Sequence, residues 1–181
     1  MADVFSSGFD ARYFFSTERR AAARGFVWTH LAPLRIARVA AAPTLGFAVS
    51  HFPFAITARL ARGTVLRLAV ESASYETAAY GPAPLVDAVA TVDERGLVAV
   101  FLVHRGLDAP TTASIDVRSL GPVRLGESIT LADDDPTATN TIEHQDRVTP
   151  ASNRSARIED GVLTIDLPPI SWTALQLIPT T

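Results

Sequence analysis

Cysteine is absent from the 181-residue chain, which rules out a disulfide framework, a thiolate metal site and a cysteine nucleophile. Lysine is absent as well: all 16 basic residues are arginine. They are dispersed rather than clustered, and with the abundant alanine they point to a GC-rich coding sequence rather than to phosphate binding. Against 19 acidic residues the formal net charge is -3, so there is no electrostatic reason to expect nucleic acid or an anionic membrane as partner. A long apolar run is also missing. The longest uncharged stretch, Val39 to Ala58, is interrupted by Pro43, Gly46, His51 and Pro53, whereas a membrane span takes about 20 predominantly apolar residues. No secretory signal is legible either, because Asp3, Asp10, Arg12 and Glu18 to Arg20 break up the first turns of any such segment. A cytoplasmic location is therefore the expectation.

What is present is strand and turn. Leu85 to Arg105 reads as two strands folded about Asp93-Glu94-Arg95-Gly96. Val86, Ala88, Ala90 and Val92 alternate with Leu85, Asp87, Val89 and Thr91, while Leu97 to Val103 is apolar on both faces and so belongs in the interior of a sheet. Leu66, Leu68 and Val70 alternate with Arg67, Ala69 and Glu71 as a further strand, and Ile115 and Val117 alternate with Ser114, Asp116 and Arg118 as another. Val123 to Leu131 follows the turn at Gly121-Pro122. A second hairpin pairs residues 156–159 with 162–167 about Asp160-Gly161, and Trp172 to Ile178 is the last strand. Two stretches read as connections: Ser72 to Pro84, whose Pro82 and Pro84 keep it out of a central ladder, and the polar segment from Ala132 to Ser155. Short strands joined by Gly, Pro and Asp turns, with no βα alternation, predict an all-β fold. The expectation is an antiparallel β-sandwich of jelly-roll or Greek-key type. Residues 1–50 show no sustained period. They are expected to form an irregular or partly helical segment, disordered or loosely docked, with one short helix near Glu18 to Arg24.

Three stretches in the second half carry a resemblance: Pro84 to Thr91; Ala138-Thr139-Asn140-Thr141 with Arg147-Val148-Thr149-Pro150; and Leu167-Pro168-Pro169-Ile170-Ser171-Trp172. Together with His51-Phe52-Pro53-Phe54 and Ala61-Arg62-Gly63 upstream, their order and spacing resemble the C-terminal domain of the α-L-arabinofuranosidases of glycoside hydrolase family 51. The resemblance implies a β-sandwich over residues 51–181, appended to a catalytic (β/α) barrel, with arabinan or arabinoxylan side chains as the parent enzyme's substrate. His104 departs from it, standing where the family is expected to carry Asn before Arg. Residues 1–50 do not align with the end of a barrel, so a truncated or shifted reading frame before His51 is one expectation.

The implied activity needs an acid/base and a nucleophilic carboxylate about 5 to 5.5 Å apart, on a barrel of about 250 residues. The family's Gly-Asn-Glu and Asp-Glu-Trp contexts do not occur in this chain. No catalytic residue is therefore assigned, and the chain alone is expected to be inactive. Asp93-Glu94-Arg95, the nearest look-alike, sits on a hairpin turn. Asp133-Asp134-Asp135 lacks the spaced ligands of a calcium loop and reads as a turn before Pro136. His30, His51, His104 and His144 never reach a two-ligand zinc spacing, and no Gly-x-Ser-x-Gly surrounds a serine. Neither metal nor cofactor is expected. Tyr75 and Tyr80, with Trp28 and Trp172, are the aromatic side chains that could stack on a sugar, with Trp172 expected to pack in the core instead. Two functions from different classes follow: a non-catalytic accessory domain that buttresses a catalytic barrel and helps assemble homo-oligomers, or a free-standing carbohydrate-binding sandwich. Tyr75 and Tyr80 side by side on an open face would favour the second.

Overall fold

A computed structural model describes residues 49–78, 81–141 and 143–180. Among the described residues one α-helix, α1 (His51–Leu60), precedes eleven strands, and a short 3-10 turn spans Arg118–Leu120. They are β1 (Thr64–Leu66), β2 (Ser74–Thr77), β3 (Gly81–Pro84), β4 (Val86–Val92), β5 (Val98–His104), β6 (Thr111–Asp116), β7 (Val123–Leu131), β8 (Ala151–Ser152), β9 (Arg157–Glu159), β10 (Val162–Leu167) and β11 (Ser171–Pro179). A large six-stranded sheet has the order β1-β4-β5-β11-β7-β8, a small three-stranded sheet the order β6-β10-β9, and β2 and β3 form a ribbon. Every pairing is antiparallel.

β5 and β11 occupy the middle of the large sheet: β5 is apolar on both faces, and β11 buries Leu175 and Leu177 on one face and Ala174 on the other. In register, Val100 lies between Ala90 of β4 and Leu175 of β11. The face bearing Val98, Val100, Leu102, Leu175 and Leu177 packs on Val117 and on Leu163, Ile165 and Leu167 of the small sheet, and Leu163, Leu167, Leu175 and Leu177 have no exposed surface at all. Burying each such side chain stabilises the fold by about 1.5–3 kcal/mol, which makes this the principal core. The opposite face bears Ala99, Phe101, Ala174 and Trp172, packed with Ile56, Leu60 and Ala61 at the end of α1. Two faced sheets with this core are an antiparallel sandwich, as the strand pattern predicts.

The hairpins form where turn chemistry puts them. Asp93 Oδ1 accepts hydrogen bonds from the backbone N–H groups of Arg95 and Leu97. Asp160 and Gly161 take φ of 51° and 74°, the left-handed pair that matches the twist of a two-residue hairpin. β7 has the bounds its sequence predicts. Four segments differ from expectation. The strand expected through Ser114 to Arg118 lies earlier, at Thr111–Asp116, and Arg118–Leu120 is a 3-10 turn. The strand pattern from Leu66 to Val70 is paired only as far as Leu66, and residues 67–73 run on outside any ladder. The connection from Ser72 to Pro84 folds into the β2–β3 ribbon, where Pro82 and Pro84 are tolerated because the ribbon has no third strand to need their missing donors. His51 to Leu60, which had no assigned period, is helical, with Pro53 confined to the first turn, where no intrahelical N–H is lost. The helix expected near Glu18 lies outside the described residues.

Candidate functional site

The three stretches that carry the family resemblance become pins of the fold. Asn140 is buried, donates Nδ2–H to the Val148 carbonyl at 2.9 Å and accepts the Val148 N–H at 2.8 Å, so its amide imitates a strand partner across the loop. Next to it, Arg147 bridges Asp135 at 2.6 Å and Asp133 at 3.8 Å. The Asp135 carboxyl is lowered to about 2, first by the Thr137 hydroxyl and backbone N–H and then by Arg147. Asp133 Oδ1 in turn accepts the Asp135 N–H. The aspartate run is thus a turn closed by an arginine and a threonine. Among the described residues no three His, Cys, Asp or Glu side chains gather as a metal cluster.

The third stretch meets β5 at His104. His104 and Ser171 are both buried, and His104 Nδ1–H and Ser171 Oγ–H both donate to the Pro168 carbonyl at 2.7 Å. Because a carbonyl only accepts, the proton sits on Nδ1. Gly106 backs onto this ring so closely that a Cβ there would lie 2.5 Å from Nε2. An asparagine at position 104 would preserve the chemistry. Nδ1 of histidine and Nδ2 of asparagine are both bonded to Cγ, so either side chain can donate to the same carbonyl.

The carboxylates have comparable structural partners. Asp87 pairs with Arg105 at 3.3 Å and caps the Ala88 N–H. Asp116, lowered to about 2 by the Arg118 side chain and its backbone N–H, tethers that residue, and Asp166 accepts from Thr112. Glu127 receives both arms of the Arg59 guanidinium, at 2.7 and 3.0 Å. A glycosidase acid needs a raised pKa, whereas each carboxyl shift resolved among these residues is downward. Asp93 and the neighbouring Glu94 lie on the β4–β5 turn.

Tyr75 stands exposed on β2 opposite Ala83. Tyr80 and Trp28 lie outside the described residues. Trp172 is half-buried and stacks on Phe101, with ring centroids 6.0 Å apart and planes at 27°. It therefore packs, as expected, but against α1 on the outer side of the large sheet rather than in the core between the sheets. This outer patch escaped the sequence reading. It combines Phe101, Trp172, the α1 end and the Arg59–Glu127 clamp, in which Glu127 sits where β7 slips register between the Leu175 and Leu177 pairings. Its one sequence signal was that β5 is apolar on its second face. His51 and His144 lie apart from His104, on α1 and in the loop before Arg147, and His30 is outside the described residues. No helix among the described residues is long and apolar enough to cross a membrane.

An antiparallel sandwich pinned at its family motifs, with a helix laid across one sheet, is a class of domain found as an appendage of larger enzymes. The sequence profile of the α-L-arabinofuranosidase C-terminal domain matches residues 30–171. The chain belongs to that family. It is 37% identical over 131 residues to the exo-α-(1→6)-L-arabinofuranosidase of Bifidobacterium longum, covering 71% of this chain and 25% of that enzyme. It is also 37% identical over 127 residues to an intracellular exo-α-(1→5)-L-arabinofuranosidase of Streptomyces lividans, covering 70% of this chain and 19% of the relative. Among solved structures, a family 51 α-L-arabinofuranosidase from Bifidobacterium longum superposes with a TM-score of 0.67 at 36% identity, over 72% of this chain and 26% of that one. The family 51 arabinofuranosidase from Xanthomonas axonopodis pv. citri shares the fold, with a TM-score of 0.66 at 24% identity over 73% of this chain and 26% of that one. The chain thus spans about a quarter or less of the relatives it matches.

Proposed function

We propose that this chain is the non-catalytic accessory sandwich of an intracellular α-L-arabinofuranosidase acting on arabinan or arabinoxylan side chains, with residues 51–181 as the domain and a catalytic (β/α) barrel as its partner. The observation that carries the reading is the use made of the motif residues: Asn140, Arg147, Pro168 and Ser171 are spent on closing loops and pinning β5 to β11, so in this chain they serve the shape of the domain. The outer patch about Phe101, Trp172 and α1 is the face offered to the barrel, since Phe54 is exposed and Val89, Val103 and Trp172 are only half-buried there. Interdomain contacts of this kind cover about 600–1,500 Å². The chain alone hydrolyses no aryl α-L-arabinofuranoside, because both the proton donor and the nucleophile must come from elsewhere. The test is an assay of the purified chain on a synthetic arabinofuranoside beside a full-length relative. Turnover that co-purifies with the chain and disappears on changing a single Asp or Glu would overturn the reading. A free-standing carbohydrate-binding module would instead bind arabinan and lose that binding on Tyr75→Ala.

A further inference from the structure

The β2–β3 ribbon is joined to the sandwich without being part of it. Ser74, Tyr75, Glu76, Pro82 and Pro84 are exposed, and no residue of the two strands enters either hydrophobic cluster. Because β3 reads Gly81-Pro82-Ala83-Pro84, only Gly81 and Ala83 have an N–H to give to the ladder. A two-stranded ribbon with so few bonds and no buried apolar face is marginal by itself in water. What holds it in place must therefore lie at its base.

The ties at the base converge on Arg105. Ser72 Oγ accepts the Val86 N–H at 2.9 Å, the Ala73 carbonyl accepts the Leu85 N–H at 2.8 Å, and the Leu85 carbonyl accepts the Arg105 N–H at 2.8 Å. The Arg105 side chain completes the set, with Nη1–H donating to the Pro84 carbonyl at 3.1 Å and Nη2–H to Asp87 Oδ2 at 3.3 Å. One guanidinium thus grips the end of the ribbon and the start of β4 together, and the two side chains of its ion pair are only 23% and 21% exposed. We propose that the ribbon is a strap that opens as a unit while the sandwich stays folded, with Arg105 as its latch. Asp87, Val103 and Trp172 lie opposite one another across β4, β5 and β11. The latch therefore borders the half-buried outer patch, and the position of the strap sets the edge of that surface. The opening is a property of this chain alone and does not depend on a catalytic partner.

Native-state hydrogen exchange of the full chain, followed by NMR across a urea series, reads the strap directly. The ribbon amides should be protected, yet exchange through an opening about a hundredfold or more populated than the one that exposes Val98 to Val103, and with little dependence on urea. Arg105→Ala should speed ribbon exchange by a further factor of about ten and leave the β5 rates unchanged, because it removes the charge-assisted bonds at the base. Arg105→Lys keeps the charge but loses the fork, so its effect should fall between the two. The wild-type chain in about 1 M sodium chloride tests the latch without any substitution, since salt screens the ion pair and should accelerate the ribbon alone. Ribbon amides that exchange only together with β5, or that show no protection at all, would overturn the proposal. So would latch variants and salt that leave the ribbon rates unchanged or speed β5 equally.

Discussion

The two faces of the large sheet are built from the same strands and do different work. Successive residues of β5 and β11 point to opposite sides, so Leu175 enters the sandwich while Ala174 and Trp172 face α1. The inner face meets another sheet along its length and excludes solvent, with the buried leucine and isoleucine side chains of its core at no more than 2% exposure. Among the described residues the outer face meets one ten-residue helix, centred on an aromatic stack and an ion pair. The inner face is therefore where most of the domain's own stability resides, and Val89, Val103 and Trp172 on the outer face stay half-buried.

The largest effect expected from this contrast is on the inner face. Leu175→Ala leaves a cavity between rigid sheets and should cost about 3–5 kcal/mol in urea unfolding, while Trp172→Ala, already half-exposed, should cost about 2 kcal/mol. Equal losses would abolish the distinction between the two faces. An intermediate effect is expected where a polar group enters the inner face. Gly106→Ala drives a methyl group into the His104 ring and should cost about 1–3 kcal/mol. Adding His104→Asn removes Nε2 and keeps a donor for the Pro168 carbonyl, so the double variant should recover part of the loss. A double variant that is merely additive would show that the close approach is not what matters. The smallest effect lies at the edge of the outer face, where Arg59→Ala should cost less than about 1 kcal/mol. That ion pair is geometrically good, but its side chains are 53% and 36% exposed and screened by solvent. A larger loss in thermal melts would mean that α1 is held by the ion pair rather than by Leu60 and Ile56.

Local pattern was a reliable guide wherever a segment's partner is close in the chain or its pattern is two-sided. The β4–β5 and β9–β10 hairpins, the bounds of β7 and the interior position of β5 all follow from alternation and from turns with Asp and Gly at the required places. The pattern misled at Leu66 to Val70, where alternation indicates a strand but cannot supply the neighbour that would make a ladder. It was uninformative for α1, ten residues with a weak apolar stripe, because a short helix is stabilised mainly by what it packs against.

The sequence by itself determined the class of fold, the turns and the family, since periodicity of two, turn residues and motif order are all properties of neighbouring positions. It also determined that the family's catalytic contexts are missing from this chain. Only the tertiary structure decided what the motifs are for. Arg59 meets Glu127 across 68 positions, and His104 meets Pro168 across 64, and no local rule links residues so far apart. Which side of β11 receives a sheet and which a helix was settled in the same way, by the competition of two distant elements for the faces of one strand.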